Sequence, residues 1–141
     1  VRNTNVYGPC DPHVDHIIPS AIEDAIRDKA PLIRNTGVVK KSYLYAEDCA
    51  TAYMVIAENC EALAGQAVNV AGSDPIGATD LARMVCKMVN PDLEPKVLGE
   101  PYTDHDEWLD DTKLRRLGWS PQWSLDAGLK ETIEWFKSQK S

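Results

Sequence analysis

The sequence contains none of the short motifs that identify several large classes of enzyme. It has no GxGxxG or GxxxxGK[ST] turn for phosphate, no GxSxG turn around a nucleophilic serine and no HExxH zinc-binding helix. The histidines His13, His16 and His105 are dispersed and have no cysteine or paired carboxylate at metal-ligand spacing. These absences exclude the usual P-loop, serine hydrolase and zincin sites, and they predict no metal site.

Basic residues are outnumbered in this chain. Lys and Arg number 15 against 22 Asp and Glu, which gives a net charge of −7. A surface that follows the phosphates of a nucleic acid needs clustered Lys and Arg, so this class of partner is disfavoured. Any phosphate site in this protein must therefore be local.

Long apolar runs are also missing. The longest, residues 52–57, is far too short to span a bilayer, and no signal-peptide pattern starts the chain. The four cysteines show no CxxC spacing, which favours reduced thiols and a cytoplasmic protein. Because the chain starts without Met, inside a strand-like pattern, we expect it to be the back part of a longer protein.

The periodicity of the 141 residues predicts one α/β domain. Short strands are predicted over residues 1–7, 32–33, 38–45, 66–71 and 96–98. Helices are predicted over residues 19–28, from Ala46, from Ala78 or Thr79 to a stop at Asn90-Pro91, over residues 111–117, and after the cap residue Ser124. So few short strands would make a poor independent sheet.

Residues 38–53 pass from a strand into a helix and are the stretch best suited to the rim of a ligand site. Lys40-Lys41 at its entrance is either a solvated strand edge or a phosphate contact, and spacing leaves both open. Asn5, near the end of the first strand, is likewise either part of a turn or an amide for a ligand hydroxyl or phosphate.

Two pairs of adjacent acids could be mistaken for acid–base pairs. Glu47-Asp48 and Asp110-Asp111 are better interpreted as helix starts, since neighbouring side chains on a helix diverge and first-turn acids suit the helix dipole. The tryptophans are predicted to pack in the core. Apolar residues of the helix after Ala46 share one face: Ala50, Tyr53, Met54 and Ala57.

An ordered series of segments resembles one enzyme family over nearly the whole chain. The similarity is to the C-terminal half of extended short-chain dehydrogenase/reductases of the NAD-dependent epimerase/dehydratase type, which act on nucleotide sugars, and the CDP-glucose 4,6-dehydratases look most similar. The segments are Asn5-Val6-Tyr7-Gly8-Pro9, Ile17-Ile18-Pro19, Lys41-Ser42-Tyr43-Leu44-Tyr45-Ala46-Glu47-Asp48, Asn69-Val70 and Leu117-Gly118-Trp119-Ser120-Pro121.

The resemblance implies a division of labour between two parts of a longer enzyme. In the family, the N-terminal Rossmann part holds NAD(P) through a glycine-rich turn and carries a Tyr-x-x-x-Lys pair. Neither motif is present here, and Tyr43 and Tyr45 have no Lys four residues on. Residues 1–141 would then be a single substrate-binding domain, with residues 1–11 as a late strand of the Rossmann sheet and with no catalytic or cofactor-binding residue.

By matching positions, the resemblance assigns three residues to the nucleotide sugar. Asn5 would touch the sugar or a phosphate, Lys41 would meet the diphosphate, and His16 stands where relatives often have Arg. Lysine lacks the bidentate fork of arginine and histidine is largely neutral at pH 7, so we expect weakened phosphate affinity. Cys10 replaces a common Gly, which puts the conformation of its loop in question.

Our leading hypothesis is the nucleotide-sugar binding portion of an NAD(P)-dependent sugar-nucleotide 4,6-dehydratase or epimerase, inactive alone. A second hypothesis is a stand-alone, truncated binding or structural module without catalytic activity, which forms a homodimer to cover its exposed strand edge. A third is a partner that completes a separately encoded Rossmann chain.

Overall fold

A computed structural model describes residues 1–101, 103 and 105–139 of the chain. Among them are five helices: α1 (Ile17–Ile26), α2 (Ala46–Glu58), α3 (Ala78–Val89), α4 (Thr112–Arg115) and α5 (Leu125–Ser138). The strands are β1 (Arg2–Asn3), β2 (Asn5–Tyr7), β3 (Leu32–Ile33), β4 (Lys40–Lys41), β5 (Tyr43–Tyr45), β6 (Asn69–Val70), β7 (Ile76–Gly77) and β8 (Lys96–Val97). The predicted α/β class is confirmed. None of the described helices combines enough length and apolar character to cross a membrane.

The strands associate in pairs rather than in one continuous sheet. Three pairs are parallel, β1 with β6, β2 with β5 and β3 with β8, and the pair of β4 with β7 is antiparallel. The strand or extended segment predicted over residues 38–45 contains two strands, β4 and β5, because the backbone changes partners at Ser42. Its N–H donates to the carbonyl of Glu107 and its carbonyl accepts from Asn5. Strand β7 was not predicted at all.

Helices α1, α3 and α5 pack around the β2–β5 pair and form the main core. Ile18 and Ile22 on α1 are almost fully buried, as the helical spacing predicted. They meet Leu81 and Val85 from α3 and Leu129 from α5. The helix α1 starts at Ile17, two residues before the predicted start, because Pro19 fits inside a first turn that needs no N–H there.

A Gly at position 128 lets α5 approach the tyrosines of the β2–β5 pair. A Cβ added there would lie 2.2 Å from the Tyr7 hydroxyl oxygen and 2.8 Å from Cδ2 of Tyr45. The Tyr7 hydroxyl donates to the carbonyl of Leu125 at 3.2 Å. The first strand of this core and the last helix are thus in direct contact.

The apolar face predicted on α2 is exposed. Tyr53 is 46% and Met54 63% exposed, whereas Ala52 of the same helix is fully buried. Ala52 packs with Leu44 and Trp119 in a second, smaller cluster. Apolar periodicity therefore identified the helix but not the face that it buries in the described structure.

Asp48 lies in the first turn of α2, as expected for a helix start, but its side chain contacts the segment before α5. Its carboxylate is buried and accepts the backbone N–H groups of Gln122 at 2.8 Å and Trp123 at 3.0 Å. The following residue Ser124 caps α5, as predicted, by accepting from the N–H of Ala127. Asp48 thereby anchors the segment that leads into α5.

The tryptophans differ in burial. Trp119 is buried, as predicted for a core residue, and the ring of Trp123 lies 4.5 Å from that of Tyr45. Trp108 is 62% exposed, so the core prediction is wrong for this residue.

Candidate functional site

A cavity of about 200 Å³ lies where β2 and β5 meet the loop before α1. It brings together Asn5 and His16, two of the three residues predicted to contact a ligand. Tyr43 borders the same cavity, since β2 and β5 pair with Asn5 opposite Tyr43. Asn5 therefore begins its strand rather than ending it, which corrects the predicted position.

The Asn5 side chain is held by the neighbouring strand segment. Its Nδ2 donates to the carbonyl of Ser42 at 3.2 Å. That bond fixes the direction of the amide. Oδ1 takes no part in the bond, so it can accept a hydrogen bond from a ligand. The residue is exposed, which makes the amide accessible from solvent.

Tyr43 brings a buried phenol to the cavity. Burial raises its pKa to about 12, although the positive charge of Lys41 acts in the opposite direction. The hydroxyl therefore stays protonated near neutral pH and can donate as well as accept a hydrogen bond. Sequence reasoning did not select Tyr43 as a site residue. The signal that could have identified it is the alternation Tyr43-Leu44-Tyr45, which begins two residues after Lys41.

Lys41, the third predicted residue, does not line the cavity of Asn5 and His16. It lies on β4, and its Nζ is 3.1 Å from Oε2 of Glu107. Its positive charge favours ionisation of the Tyr43 phenol and so opposes the larger effect of burial on the pKa of that group. The neighbouring Lys40 is exposed, and its backbone N–H donates to the carboxylate of Asp106.

His16 reaches the cavity from the position just before α1. Its Nδ1 donates to Oδ2 of Asp11 at 3.2 Å, and Nδ1 of His13 donates to Oδ1 of the same carboxylate at 2.9 Å. Partial burial raises the pKa of Asp11, but the hydrogen bonds from His13 and His16 outweigh it, so the net shift is downward. The sequence showed no carboxylate paired with the histidines at metal-ligand spacing, but the structure places Asp11 beside these two.

The loop that carries Asp11 contains a left-handed residue. Cys10 has φ = 64°, a conformation that glycine adopts without strain and that costs a residue with a Cβ roughly 1–2 kcal/mol. The prediction that Cys10 stands in a position suited to Gly therefore agrees with the backbone. The loop keeps this turn despite the side chain.

A larger cavity of about 550 Å³ adjoins the other side of the start of α1. Ile17 borders both cavities. Apolar walls come from Val14 and Leu32, while Asn35 and the exposed Arg34 add polar groups at the β3 side. Its volume is in the range of small-molecule sites, about 300–1,000 Å³. Arg34 was not selected from the sequence, where one Arg after a two-residue strand gives no signal of a site.

Comparison with known proteins places these features in context. A model of the NAD dependent epimerase/dehydratase family matches residues 1–71, half of the chain. A trifunctional UDP-glucose 4,6-dehydratase/UDP-4-keto-6-deoxy-D-glucose 3,5-epimerase/UDP-4-keto-L-rhamnose-reductase of Arabidopsis thaliana is 35% identical over 138 residues, which cover 96% of this chain and 20% of that protein. The dTDP-glucose 4,6-dehydratase 1 of Escherichia coli K12 is 31% identical, over 96% of this chain and 39% of its own length.

Solved structures agree with the fold. A UDP-glucose 4-epimerase of Thermotoga maritima, with UDP-glucose, has a TM-score of 0.85 at 26% identity and covers 99% of this chain and 46% of its own. A UDP-glucuronic acid 4-epimerase of Bacillus cereus, with UDP-glucuronic acid and NAD, has a TM-score of 0.88 at 24% identity, over 98% and 44%. The chain thus spans less than half the length of these proteins. Their names carry UDP or dTDP sugars, so the similarity to CDP-glucose dehydratases stays a prediction.

Proposed function

Because the chain belongs to the NAD dependent epimerase/dehydratase family, we propose that it is the nucleotide-sugar binding part of a sugar-nucleotide 4,6-dehydratase or epimerase. The observation that carries this proposal is the gathering of Asn5, His16 and Tyr43 around one cavity. The relatives named above act, by their names, on UDP-glucose and dTDP-glucose. A nucleoside diphosphate sugar is therefore the proposed ligand.

The two cavities divide the proposed ligand between them. The larger one has apolar walls at Val14 and Leu32, which suit the faces of a nucleobase. The smaller one offers Oδ1 of Asn5 to a sugar hydroxyl and the Tyr43 hydroxyl to a sugar or phosphate oxygen. Ile17, shared by both, marks the place where the ligand would pass from one to the other.

Lys41 borders neither cavity, but it lies two residues before Tyr43, so it is the proposed cation for a phosphate at that edge of the smaller cavity. Its ammonium is paired with Glu107 at 3.1 Å, so binding a phosphate would mean exchanging or sharing that carboxylate partner. Glu107 is itself 48% exposed, and salt bridges at the surface typically contribute no more than about 1 kcal/mol. A lysine ammonium cannot form the two parallel hydrogen bonds that an arginine guanidinium forms with a phosphate. We therefore expect a lower affinity for the diphosphate than an arginine would give.

NAD(P) is the cofactor that the family implies, but the residues of this chain do not fit it. The sequence has no glycine-rich turn and no Tyr-x-x-x-Lys pair, and the cavity residues do not replace them. We propose that NAD(P) binding and hydride transfer belong to another part of a longer protein. The 141 residues alone should then show no NAD-dependent turnover of a nucleotide sugar, and measurable turnover would refute this division.

Calorimetric titration with UDP-glucose, dTDP-glucose and CDP-glucose tests the binding role. We expect one of the three to bind, and Asn5→Ala and Lys41→Ala each to weaken binding by about tenfold, the value of one hydrogen bond to a charged group. Lys40→Ala is the matched control, because this neighbour is exposed and its side chain should not reach the ligand. No binding of any of the three, or equal losses for Lys40 and Lys41, would contradict the proposal.

The homodimeric module remains the competing proposal, and the exposed α2 face with Tyr53 and Met54 is the observation that favours it. Burying such side chains against a second copy would stabilise a dimer. Light scattering during the same titrations separates the two: a monomer that binds a nucleotide sugar supports the binding part. An obligate dimer indifferent to all three sugars supports the module.

A further inference from the structure

Asp11, His13 and His16 form a cluster in the loop before α1, and the proposed function does not explain why two histidines share one carboxylate. Both imidazole rings point their Nδ1 atoms at the one carboxylate, at 2.9 and 3.2 Å. The rings stack with centroids 4.7 Å apart and an angle of 21° between their planes. One ligand atom from each of the three residues lies within 4.8 Å of the other two.

We propose that this cluster binds a divalent transition-metal cation, with Zn²⁺ the best-suited ion, through the Asp11 carboxylate and one ring nitrogen of each histidine. Imidazole and carboxylate are ligands that Zn²⁺ accepts together. With bonds of about 2.0–2.1 Å, two ligand atoms of a tetrahedral zinc site lie roughly 3.3 Å apart. The separations of 2.9 Å from His13 Nδ1 to Oδ1 and 3.2 Å from His16 Nδ1 to Oδ2 are close to that spacing, and the rings must turn for both histidines to face one ion.

The carboxylate at the centre of the cluster is already fixed. The side chain of Asp11 is 14% exposed and also accepts the backbone N–H of His13 at 3.0 Å. The histidine side chains are 62% and 56% exposed, so an ion can reach them from solvent. Three protein ligands leave one tetrahedral position for water. The chain's net charge of −7 favours a cation at its surface.

The spacing of these residues in the sequence did not predict this cluster. The pattern Asp-x-His-x-x-His at residues 11–16 lies in a loop, where spacing alone does not fix the direction of side chains. The left-handed turn at Cys10 and the start of α1 at Ile17 bound the loop and bring its three side chains together. Asp11 and His16 also border the smaller cavity of the proposed function. Binding of Zn²⁺ needs no nucleotide sugar, however, so the two proposals are tested separately.

Titration of the purified chain with Zn²⁺ alone, in competition with a chromogenic chelator, tests the site. The unaltered chain should bind one equivalent. His13→Asn and His16→Asn should each weaken it at least tenfold, since even partners behind metal ligands contribute about 10–100-fold in affinity. The double variant should lose the equivalent. Both side chains are exposed, so these variants should fold, and an unchanged circular dichroism spectrum verifies it.

Two matched controls separate this cluster from other donors. His105→Asn removes the remaining histidine, and Cys10→Ser removes an exposed thiol beside the loop. Both variants should bind Zn²⁺ like the unaltered chain. Equal binding by the double histidine variant, or loss of the equivalent in Cys10→Ser, would overturn the proposal. In ¹⁵N spectra of the imidazole rings, Zn²⁺ should shift His13 and His16 but not His105, and any other pattern speaks against the site.

Discussion

The backbone N–H of Trp123 donates to the buried carboxylate of Asp48 across 75 positions of sequence, at 3.0 Å. The N–H of Gln122 donates to the other oxygen of the same carboxylate. One side chain in the first turn of α2 thus satisfies two backbone donors of the segment before α5. The pair of adjacent acids at this helix start contains one structural anchor and one exposed residue.

Replacing Asp48 with Asn should destabilise the protein by about 2–4 kcal/mol. The amide keeps one acceptor but turns an NH₂ group toward a backbone donor, and hydrogen bonds to charged groups contribute roughly 1.5–3 kcal/mol each. Urea denaturation measures the loss. Glu47→Gln is the control, because this exposed neighbour should change stability by no more than about 0.5 kcal/mol. Equal effects of the two changes would show that the carboxylate is not an anchor.

Adding a methyl group at Gly128 should lower stability by about 1–3 kcal/mol, although Ala is the better helix former. The new Cβ would lie 2.2 Å from the Tyr7 hydroxyl oxygen. The same Gly128→Ala change in a Tyr7→Phe background should cost less, because the hydroxyl is absent. A double-mutant cycle from thermal denaturation gives the coupling. Strictly additive effects would mean that α5 does not meet Tyr7 as described.

The substitution Cys10→Gly should stabilise the folded chain by up to about 1 kcal/mol. The left-handed backbone of Cys10, with φ = 64°, is strained for any residue with a Cβ. The matched control is Cys60→Gly, an exposed cysteine that is not among the residues of positive φ. There the extra freedom of glycine should only destabilise. Chemical denaturation of both variants decides, and a loss of stability at position 10 would contradict the strain.

Stability should fall as the pH rises above about 10, in part through Tyr43. Burial raises the pKa of Tyr43 in the folded protein from 10.0 to about 12, so the folded state holds the phenolic proton more tightly than the unfolded chain. This contribution is present in full below pH 10 and is lost as the pH approaches 12. The difference corresponds to roughly 3 kcal/mol.

Tyr43→Phe removes the phenol and should flatten part of that pH dependence. The remaining slope comes in part from Tyr7, whose pKa is also raised, first by burial and then by the charges of Tyr45 and Asp48. Denaturation midpoints compared between about pH 9 and 11 provide the measurement. An identical slope in the variant would mean that Tyr43 titrates as in an unfolded chain.

Local signals predicted much of the fold. The apolar spacing of Ile18 and Ile22 identified α1 and its buried face, and Ser124 identified the start of α5. Both signals are local, since the contacts that matter lie within a turn or two of helix. The face of α2 was not predicted correctly, because the neighbours that bury Ala52 come from distant segments.

The site was predicted less completely. Asn5 was a candidate from its place near a strand end as well as from the family resemblance, and His16 came from the resemblance alone. Both border one cavity. Tyr43 was missed because its role depends on pairing opposite Asn5, which the sequence does not specify. The pairing of Lys41 with Glu107 joins residues 66 positions apart and was equally invisible. Substrate roles for Asn5, His16 and Lys41 stay predictions.

Contact between the first strands and the last helix has a consequence for synthesis. The Tyr7 hydroxyl meets the Leu125 carbonyl across 118 positions, and β1 pairs with β6 rather than with a neighbour in sequence. A chain emerging from the ribosome therefore cannot complete its core until α5 has left the exit tunnel. Isolated pairs of strands are only marginally stable in water, so the segments that are synthesised first stay incompletely folded. Until α5 is available, these segments are exposed to aggregation and proteolysis.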